Sequence, residues 1–351
     1  MALAVAVSLA ILMGIFFGLA PALQISRRDF ATAMKDAGQR VRGDRHGQSA
    51  RNFFAAAEIA LSVVVLVSAS LVTQSYRKLE ALDLGFRPEH LLSFEVEVPQ
   101  SKYPNDAQVR QFYERVLESL RRVPSVENVA AVSGRPMVDR TVDLTTHDLE
   151  IEGRATQDAR ATPNANFRVV SADYFQTMGI TILSGRGFTE RDGSNHPRVV
   201  VVNQTMAQMF WPGGDALGKR IRLGRRFGRR QSSEVDVAGT EMTIVGIVSD
   251  SKQIRVIDAP PRQEFYVALA QRQGLPRGMT IQARSALPPA ALTAGIRSAI
   301  HQVDPEQPMF DVMTMDEIVA DSFGPKRLTL CLLTFFASVA LILCAVGLYG
   351  I

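Results

Sequence analysis

Three long, almost uncharged segments constrain the fold of this chain more than any other feature. Residues 1–25, 53–75 and 328–351 contain a single charged side chain, that of Glu58. A helix that crosses the hydrocarbon core of a bilayer needs roughly 20 predominantly apolar residues. Buried helices of water-soluble proteins seldom run that far without a polar face. We therefore predict that all three segments are membrane-spanning helices.

The segment that joins the first two predicted spans, residues 26–52, is strongly basic. It holds seven arginine and lysine residues against three aspartates. Short basic loops stay in the cytoplasm, whereas loops longer than about 60 residues are largely exempt from this rule. We therefore predict a cytoplasmic linker over 26–52 and an extracytoplasmic region over 76–327.

The two chain ends lie at or within predicted spans. Met1 begins the first span and Ile351 ends the third, which predicts a fragment of a longer multi-span protein, truncated after 351. The two cysteines, Cys331 and Cys344, would lie roughly 20 Å apart along one helix. That separation excludes a disulfide between them. The cysteine-free region 76–327 therefore needs an ordinary hydrophobic core.

Hydrophobic periodicity predicts two strand-and-helix units at the two ends of the extracytoplasmic region. The expected elements are strands over 91–98, 125–133, 264–270, 278–285 and 308–315 and helices over 106–123 and 289–303. Between the units, residues 140–260 change to short strands and turns, which is typical of an inserted β-rich subdomain. The predicted fold class is a multi-pass α-helical membrane protein with a large extracytoplasmic α+β domain.

The stretch WPGGDALGKRIRLG, residues 211–224, is similar to a nucleotide-binding P-loop but lacks the last residue of its motif. Gly213 and Gly218-Lys219 have the P-loop spacing, but Pro212 precedes the glycines and Arg220 replaces the hydroxyl residue that holds magnesium. The alternating KRIRL predicts a strand where a P-loop opens a helix. We predict a Pro-Gly turn that joins a short helix, residues 203–211, to a strand. Asn203 begins a glycosylation sequon, but capping this helix is its simpler role.

The segment KRIRLGRRFGRR, residues 219–230, carries seven basic side chains in twelve positions. Blocks of like charge are usually solvated, so we favour an exposed hairpin loop. The functional alternative is contact with anionic lipid headgroups or with an acidic partner protein.

Few residues suggest chemistry. The five histidines are scattered without metal-ligand spacing, and no nucleophile motif is present, so we predict no catalytic, cofactor-binding or metal-binding residues. Glu58 is expected to reach the membrane interface or to make a polar contact with a neighbouring helix. Gly324-Pro325 is a candidate hinge before the third span, although a helix stop is the simpler explanation.

Several stretches together resemble the MacB/FtsX-type permeases of ABC transporters. They are FFAAAEIALSVVVLVSASLVTQSYRKLEALDLGFRPEHLL, VVSADYFQTMGITILSGRGFTERD, VVVNQTMAQMFWPGGDALGKRIRLG, TIVGIVSDSK and LLTFFASVALILCAVGLYGI. The chain most resembles the branch in which two permease units are fused. That resemblance implies that 1–25 is the last helix of a first unit. It also implies a porter-like α/β part over about 84–139 and 261–323, with the β-rich subdomain over about 140–260.

The resemblance also implies a function. Such permeases lie in the bacterial inner membrane and recruit a separate cytoplasmic ATPase, which binds the ATP and magnesium, so this chain needs no cofactor of its own. Expected partners are that ATPase, a second copy or the other half of a duplicated permease, membrane lipid and a periplasmic adaptor, but not nucleic acid. ATP hydrolysis would move the extracytoplasmic domain, by mechanotransmission or for export. The alternative is a transmembrane sensor with an extracytoplasmic ligand-binding domain.

Overall fold

The computed structural model describes residues 83–137, 145–152, 163–214, 216–227, 240–252 and 261–322, with scattered residues between 56 and 74 and between 332 and 339. The chain divides into two compact units, one of residues 1–65 with 338–351 and the other of residues 66–337. Among the described residues, no helix combines the length and apolar character needed to cross a bilayer. Most of the three predicted spans, including Glu58, lies outside the described residues, as do Gly324 and Pro325.

Residues 83–322 form the main domain, whose described part contains eleven strands in one hydrogen-bonded network. The strands are β1 Leu91–Glu97, β2 Val126–Val132, β3 Thr145–Ile151, β4 Asn164–Val170, β5 Ile182–Gly185, β6 Val199–Asn203, β7 Arg220–Phe227, β8 Glu241–Val248, β9 Glu264–Ala268, β10 Gly278–Ser285 and β11 Phe310–Thr314. The α-helices are α1 Asp106–Arg121, α2 Tyr174–Met178, α3 Gln204–Phe210, α4 Thr293–Val303 and α5 Met315–Ser322. Short 3₁₀ turns cover Leu269–Gln271 and Pro289–Leu292.

Four antiparallel strands in the order β11-β1-β10-β2 form a sheet with helices on both faces. Helices α1 and α4 pack together over one face, and α2 and α5 contact the other. The α1 helix begins where the Asn105 side chain accepts a hydrogen bond from the Gln108 amide, at 3.0 Å. Its buried stripe is Val109, Phe112, Tyr113, Val116, Leu117 and Leu120. The strands and helices predicted here from periodicity are confirmed.

Six further strands close into a ring in the order β4-β3-β7-β8-β6-β9, because β9 pairs back with β4. The β4–β9 and β6–β8 pairs are parallel and the others are antiparallel. Strand 264–270 was expected in the porter-like part, and the structure corrects this assignment. All five residues of β9 are buried and both of its edges are paired, which places it in the ring.

The basic segment 219–230 also differs from the prediction. Strand β7 continues to Phe227, so Arg222–Phe227 is a paired strand rather than a hairpin loop. Ile221 and Leu223 point into the core, while Arg220 contacts Glu152 at 3.1 Å. Acidic residues from β3 and β8 compensate the outward arginines, and pairing therefore remains favourable.

A buried ion pair lies where the ring meets the four-stranded sheet. Arg168 Nε on β4 donates to Glu264 Oε1 on β9 at 2.6 Å, and both side chains are almost fully buried. The Tyr266 hydroxyl donates to the other carboxylate oxygen at 2.9 Å. Arg168 Nη1 reaches the Gly134 carbonyl just beyond β2, at 3.3 Å. Burial opposes the charge of Arg168, but the Glu264 carboxylate outweighs this and raises its pKa.

Removal of one partner of this ion pair is expected to destabilise the domain strongly. Glu264→Gln leaves the Arg168 charge buried without a counter-ion, which costs about 3–5 kcal/mol. The double variant Arg168→Met with Glu264→Gln removes that charge and should recover much of the loss. The single tryptophan, Trp211, is buried and reports unfolding by its fluorescence in denaturant titrations of the full chain. A double variant as unstable as the single one would contradict this account.

Candidate functional site

The neck segment, residues 83–90, leads from the second apolar segment into strand β1. It opens with a turn in which the Gly85 amide donates to Asp83 Oδ1 at 2.8 Å. Gly85 has a φ of +71°, a conformation that side chains with a Cβ adopt reluctantly. Phe86 follows and is buried. The Asp-Leu-Gly-Phe stretch thus turns the chain and fixes it in the domain within four residues.

The neck segment touches the ring part of the domain at the end of β8. The Lys252 amide donates to the Leu84 carbonyl at 2.8 Å. The Asp250 carbonyl lies against Gly85, and a Cβ added there would overlap this oxygen. Only glycine therefore permits this approach of the two backbones.

The Asp250 carboxylate continues this contact into the ring. It accepts hydrogen bonds from the Asn203 amide group at 2.8 Å, from the Thr205 amide at 2.9 Å and from the Thr205 hydroxyl at 2.8 Å. Asn203 Oδ1 accepts from the amides of Met206 and Glu264, both at 3.0 Å. The capping role predicted for Asn203 is confirmed. One acidic residue next to Gly85 therefore ties β6, β8 and the first turn of α3 together.

On its other side, the neck segment is held by Arg284 of strand β10. The guanidinium donates to the backbone carbonyls of Arg87 at 2.7 Å, Glu89 at 2.8 Å and Thr177 at 2.7 Å. The Arg87 amide donates to the Met178 carbonyl at 2.8 Å, at the end of α2. Partial burial lowers the pKa of Arg284, although a guanidinium stays charged in proteins. One side chain thus joins the neck segment to the four-stranded sheet.

An apolar cluster lies beneath these polar contacts. It brings together residues of the neck segment, of the ring, of α2 and of α5, the last described element before the third apolar segment. Its members include Phe86, Leu91, Val201, Tyr266, Phe175, Met178, Met315 and Ile318. The Ser322 hydroxyl at the end of α5 also donates to the Met137 carbonyl at 3.1 Å. The neck segment and α5 therefore share one buried cluster. We use the term neck junction for this cluster and the contacts of Gly85, Asp250 and Arg284 around it.

The comparisons with known proteins identify the family. The MacB-like periplasmic core domain family matches residues 2–299, well over half of the chain. The chain belongs to this family. It thus belongs with the MacB/FtsX-type permease family, and its main domain is the MacB-like periplasmic core domain of that family.

Individual relatives are distant. The chain is 22% identical over 195 residues to the probable syringafactin export ATP-binding/permease protein SyfD of Pseudomonas syringae pv. tomato, a match that covers 54% of this chain and 27% of that protein. The chain thus spans about a quarter of the length of this curated relative.

Two solved structures are similar at low identity. The periplasmic region of MacB from Actinobacillus actinomycetemcomitans is 13% identical, with a TM-score of 0.42 over 67% of this chain and 92% of that one. The extracellular domain of the noncanonic ABC-type transporter YknZ from Gram-positive bacteria is 13% identical, with a TM-score of 0.40 over 63% and 99%.

The structure places the residues singled out in the sequence in different ways. Gly213 and Gly218 lie in the connection between α3 and β7, so the predicted Pro-Gly turn of this MacB-like domain is confirmed.

Sequence reasoning missed Asp250 and Arg284, because their partners lie far away along the chain. The one local signal was Gly85 after Asp83, a pattern typical of a turn with positive φ. The described residues contain no group of His, Cys, Asp and Glu side chains that could hold a metal ion.

Gly85→Ala is expected to loosen the neck junction. A Cβ at this position combines positive φ with overlap of the Asp250 carbonyl, so we expect a cost of at least about 2 kcal/mol. Amide hydrogen exchange of residues 84–90 and 249–252 in the full chain measures it. Gly213→Ala is the matched control, because no atom lies within 4 Å of its added Cβ. Equal exchange in the two variants would show that the close approach carries no stability.

Proposed function

We propose that the chain is the permease subunit of an ABC-type transporter of the bacterial inner membrane. A separate cytoplasmic ATPase binds ATP and magnesium, and its hydrolysis cycle moves the extracytoplasmic domain, by mechanotransmission or for export. Membership of the MacB-like family supports the permease assignment. The name of the Pseudomonas relative, which joins ATP-binding and permease functions, supports the link to ATP hydrolysis.

The observation that carries the proposal is the double attachment of the neck segment. Gly85 fits against Asp250 of the ring part, and Arg284 of the sheet part holds the Arg87 and Glu89 carbonyls. A displacement of the second apolar segment is therefore passed to both parts at once. A domain attached by a loose linker would not follow such a movement.

The remaining features of the proposal concern the membrane side and the assembly. Gly324-Pro325 follows α5 and is the proposed hinge between the domain and the third span. Glu58 is proposed to make a polar contact near the inner interface. The chain is proposed to pair with a second copy or with the other half of a duplicated permease, and a periplasmic adaptor is a further proposed partner.

The assembly is tested by purifying the full chain from native membranes in mild detergent. We expect an ATPase with complete Walker motifs to copurify and to hydrolyse ATP in the complex. Copurification of a kinase without such an ATPase would instead favour the sensor. The absence of any nucleotide-hydrolysing partner would contradict the transporter assignment.

Arg284→Gln is expected to uncouple the neck segment from the sheet in this complex. Loss of charged hydrogen bonds worth about 1.5–3 kcal/mol each should raise amide exchange of residues 84–90 more than tenfold. In the parent complex, ATP turnover should change the exchange of this segment, and in the variant it should not. Arg277→Gln is the control, because Arg277 also binds backbone carbonyls, those of Tyr103 and Pro104, but away from the neck. An identical response of both variants would exclude a special role of Arg284.

A further inference from the structure

Exposed aliphatic side chains of the main domain gather around the neck segment. The large hydrophobic residues exposed in the described part of this domain are Ile182, Leu183, Met209, Leu217, Leu287 and Phe310. Ile182 and Leu183 belong to β5, which adjoins the neck on the ring side, and Leu287 adjoins it on the sheet side. Three of the six therefore lie close to the point where the chain enters the domain.

The apolar residues of β5 are located by the contacts of β8. The Ser249 amide, just after β8, donates to the Thr181 carbonyl at 2.8 Å. Ile182 follows Thr181 and therefore lies beside the end of β8. The next residue after Ser249 is Asp250, which lies against Gly85. All four residues of β5 are exposed, and β5 pairs only with β8 among the described strands. Ile182 and Leu183 are 42% and 48% exposed, which leaves an unusual apolar edge beside the neck.

Leu287 lies on the other side of the neck segment. The Ser285 amide donates to the His90 carbonyl at 2.9 Å, and the His90 ring lies 3.5 Å from the Leu287 carbonyl. Leu287 is 47% exposed. Aliphatic side chains from both parts of the domain therefore adjoin the neck, whose own exposed charged residues are Asp83, Arg87 and Glu89.

Surfaces farther from the neck have a different character. Arg220 and Arg222 on β7 are paired with Glu152 and Glu150. Lys102, beyond the opposite end of β1, binds Asp304 at 2.8 Å and Glu306 at 3.0 Å. Ion-paired side chains of this kind are typical of a surface in contact with water. Charged pairs therefore occupy these two surfaces, whereas Ile182, Leu183 and Leu287 are exposed close to the neck.

The chain itself limits the distance between this apolar edge and a bilayer. Only residues 76–82 separate the second predicted span from Asp83. Seven residues cover about 10 Å as a helix and at most about 24 Å when fully extended. Exposed aliphatic side chains beside a segment that lies this close along the chain to a predicted span are suited to contact with the headgroup region of a membrane.

We propose that Ile182, Leu183 and Leu287 contact the lipid headgroup region around the second apolar segment. This contact would favour one orientation of the neck end of the domain at the membrane surface without anchoring it there. The proposal depends on the predicted span 53–75 but not on the identity of the ATPase, so the two can fail separately.

Spin-label accessibility in lipid nanodiscs tests the proposal on the full chain. Nitroxide labels are attached to Leu183→Cys, Leu287→Cys and the control Glu306→Cys, with Cys331 and Cys344 replaced by alanine. The nanodiscs contain phosphatidylethanolamine and phosphatidylglycerol, and power saturation is measured with oxygen, which enters lipid, and with a water-soluble nickel chelate. Glu306 is 84% exposed. It lies beyond the opposite end of β1 from the neck, and the length of that strand sets a distance of about 20 Å. Because all three side chains are exposed, folding should be unchanged, which thermal unfolding verifies.

For each label we take the ratio of oxygen accessibility to nickel-chelate accessibility. We expect this ratio to be severalfold higher at 183 and 287 than at 306. High accessibility to the chelate at 183 and 287 would show that these residues face water, and would overturn the proposal. Low accessibility to both reagents would show that a protein covers the patch, either a second copy or an adaptor, and would overturn it as well.

Discussion

Three backbone carbonyls converge on the guanidinium of Arg284, and the position of the neck segment depends on this convergence. Two of the carbonyls belong to the neck and the third to the last turn of α2. Carbonyls at a helix end and in an irregular segment have no partners from regular structure, so a partly buried cluster of them is costly without a donor. Arginine offers five N–H groups in a fixed planar arrangement and satisfies all three at once. Lysine, with one compact ammonium group, cannot match this geometry.

The second constraint is the contact between two backbones at Gly85 and Asp250. It requires the absence of a side chain, whereas the Arg284 contact requires a specific one. The two contacts also join different parts of the domain, the ring and the four-stranded sheet. The buried Arg168–Glu264 pair connects these parts to each other, since Arg168 also reaches the Gly134 carbonyl beyond β2. Neck, sheet and ring are therefore linked pairwise by polar contacts and need not rely on the apolar cluster alone.

The sequence predicted elements far better than their partners. The α1 helix was predictable because Asn105 caps it and apolar residues recur at helical spacing from Val109 to Leu120. Strand pairing was not, because the closing contact of the ring joins Arg168 to Glu264, residues 96 positions apart. The run EFYVA has no alternation that would indicate which sheet it enters. Likewise, the arginines of β7 appeared to favour a loop until the structure placed Glu150 and Glu152 beside them. Glu58, Gly324 and Pro325 remain predictions from the sequence.

The attachment of the neck and the apolar side chains around it would both limit tilting of the domain relative to the membrane. A domain held only by its neck could tilt about this attachment, and part of any axial movement of the predicted second span would be lost as rotation. Contacts at Ile182 on the ring part and Leu287 on the sheet part would resist that tilt, because they touch the lipid at two separate points. Burial of apolar area at roughly 25 cal/mol per Å² makes each such contact modest, so the domain could still lift when the predicted span moves. A weak contact that favours one orientation without anchoring the domain suits a part whose proposed task is to move repeatedly.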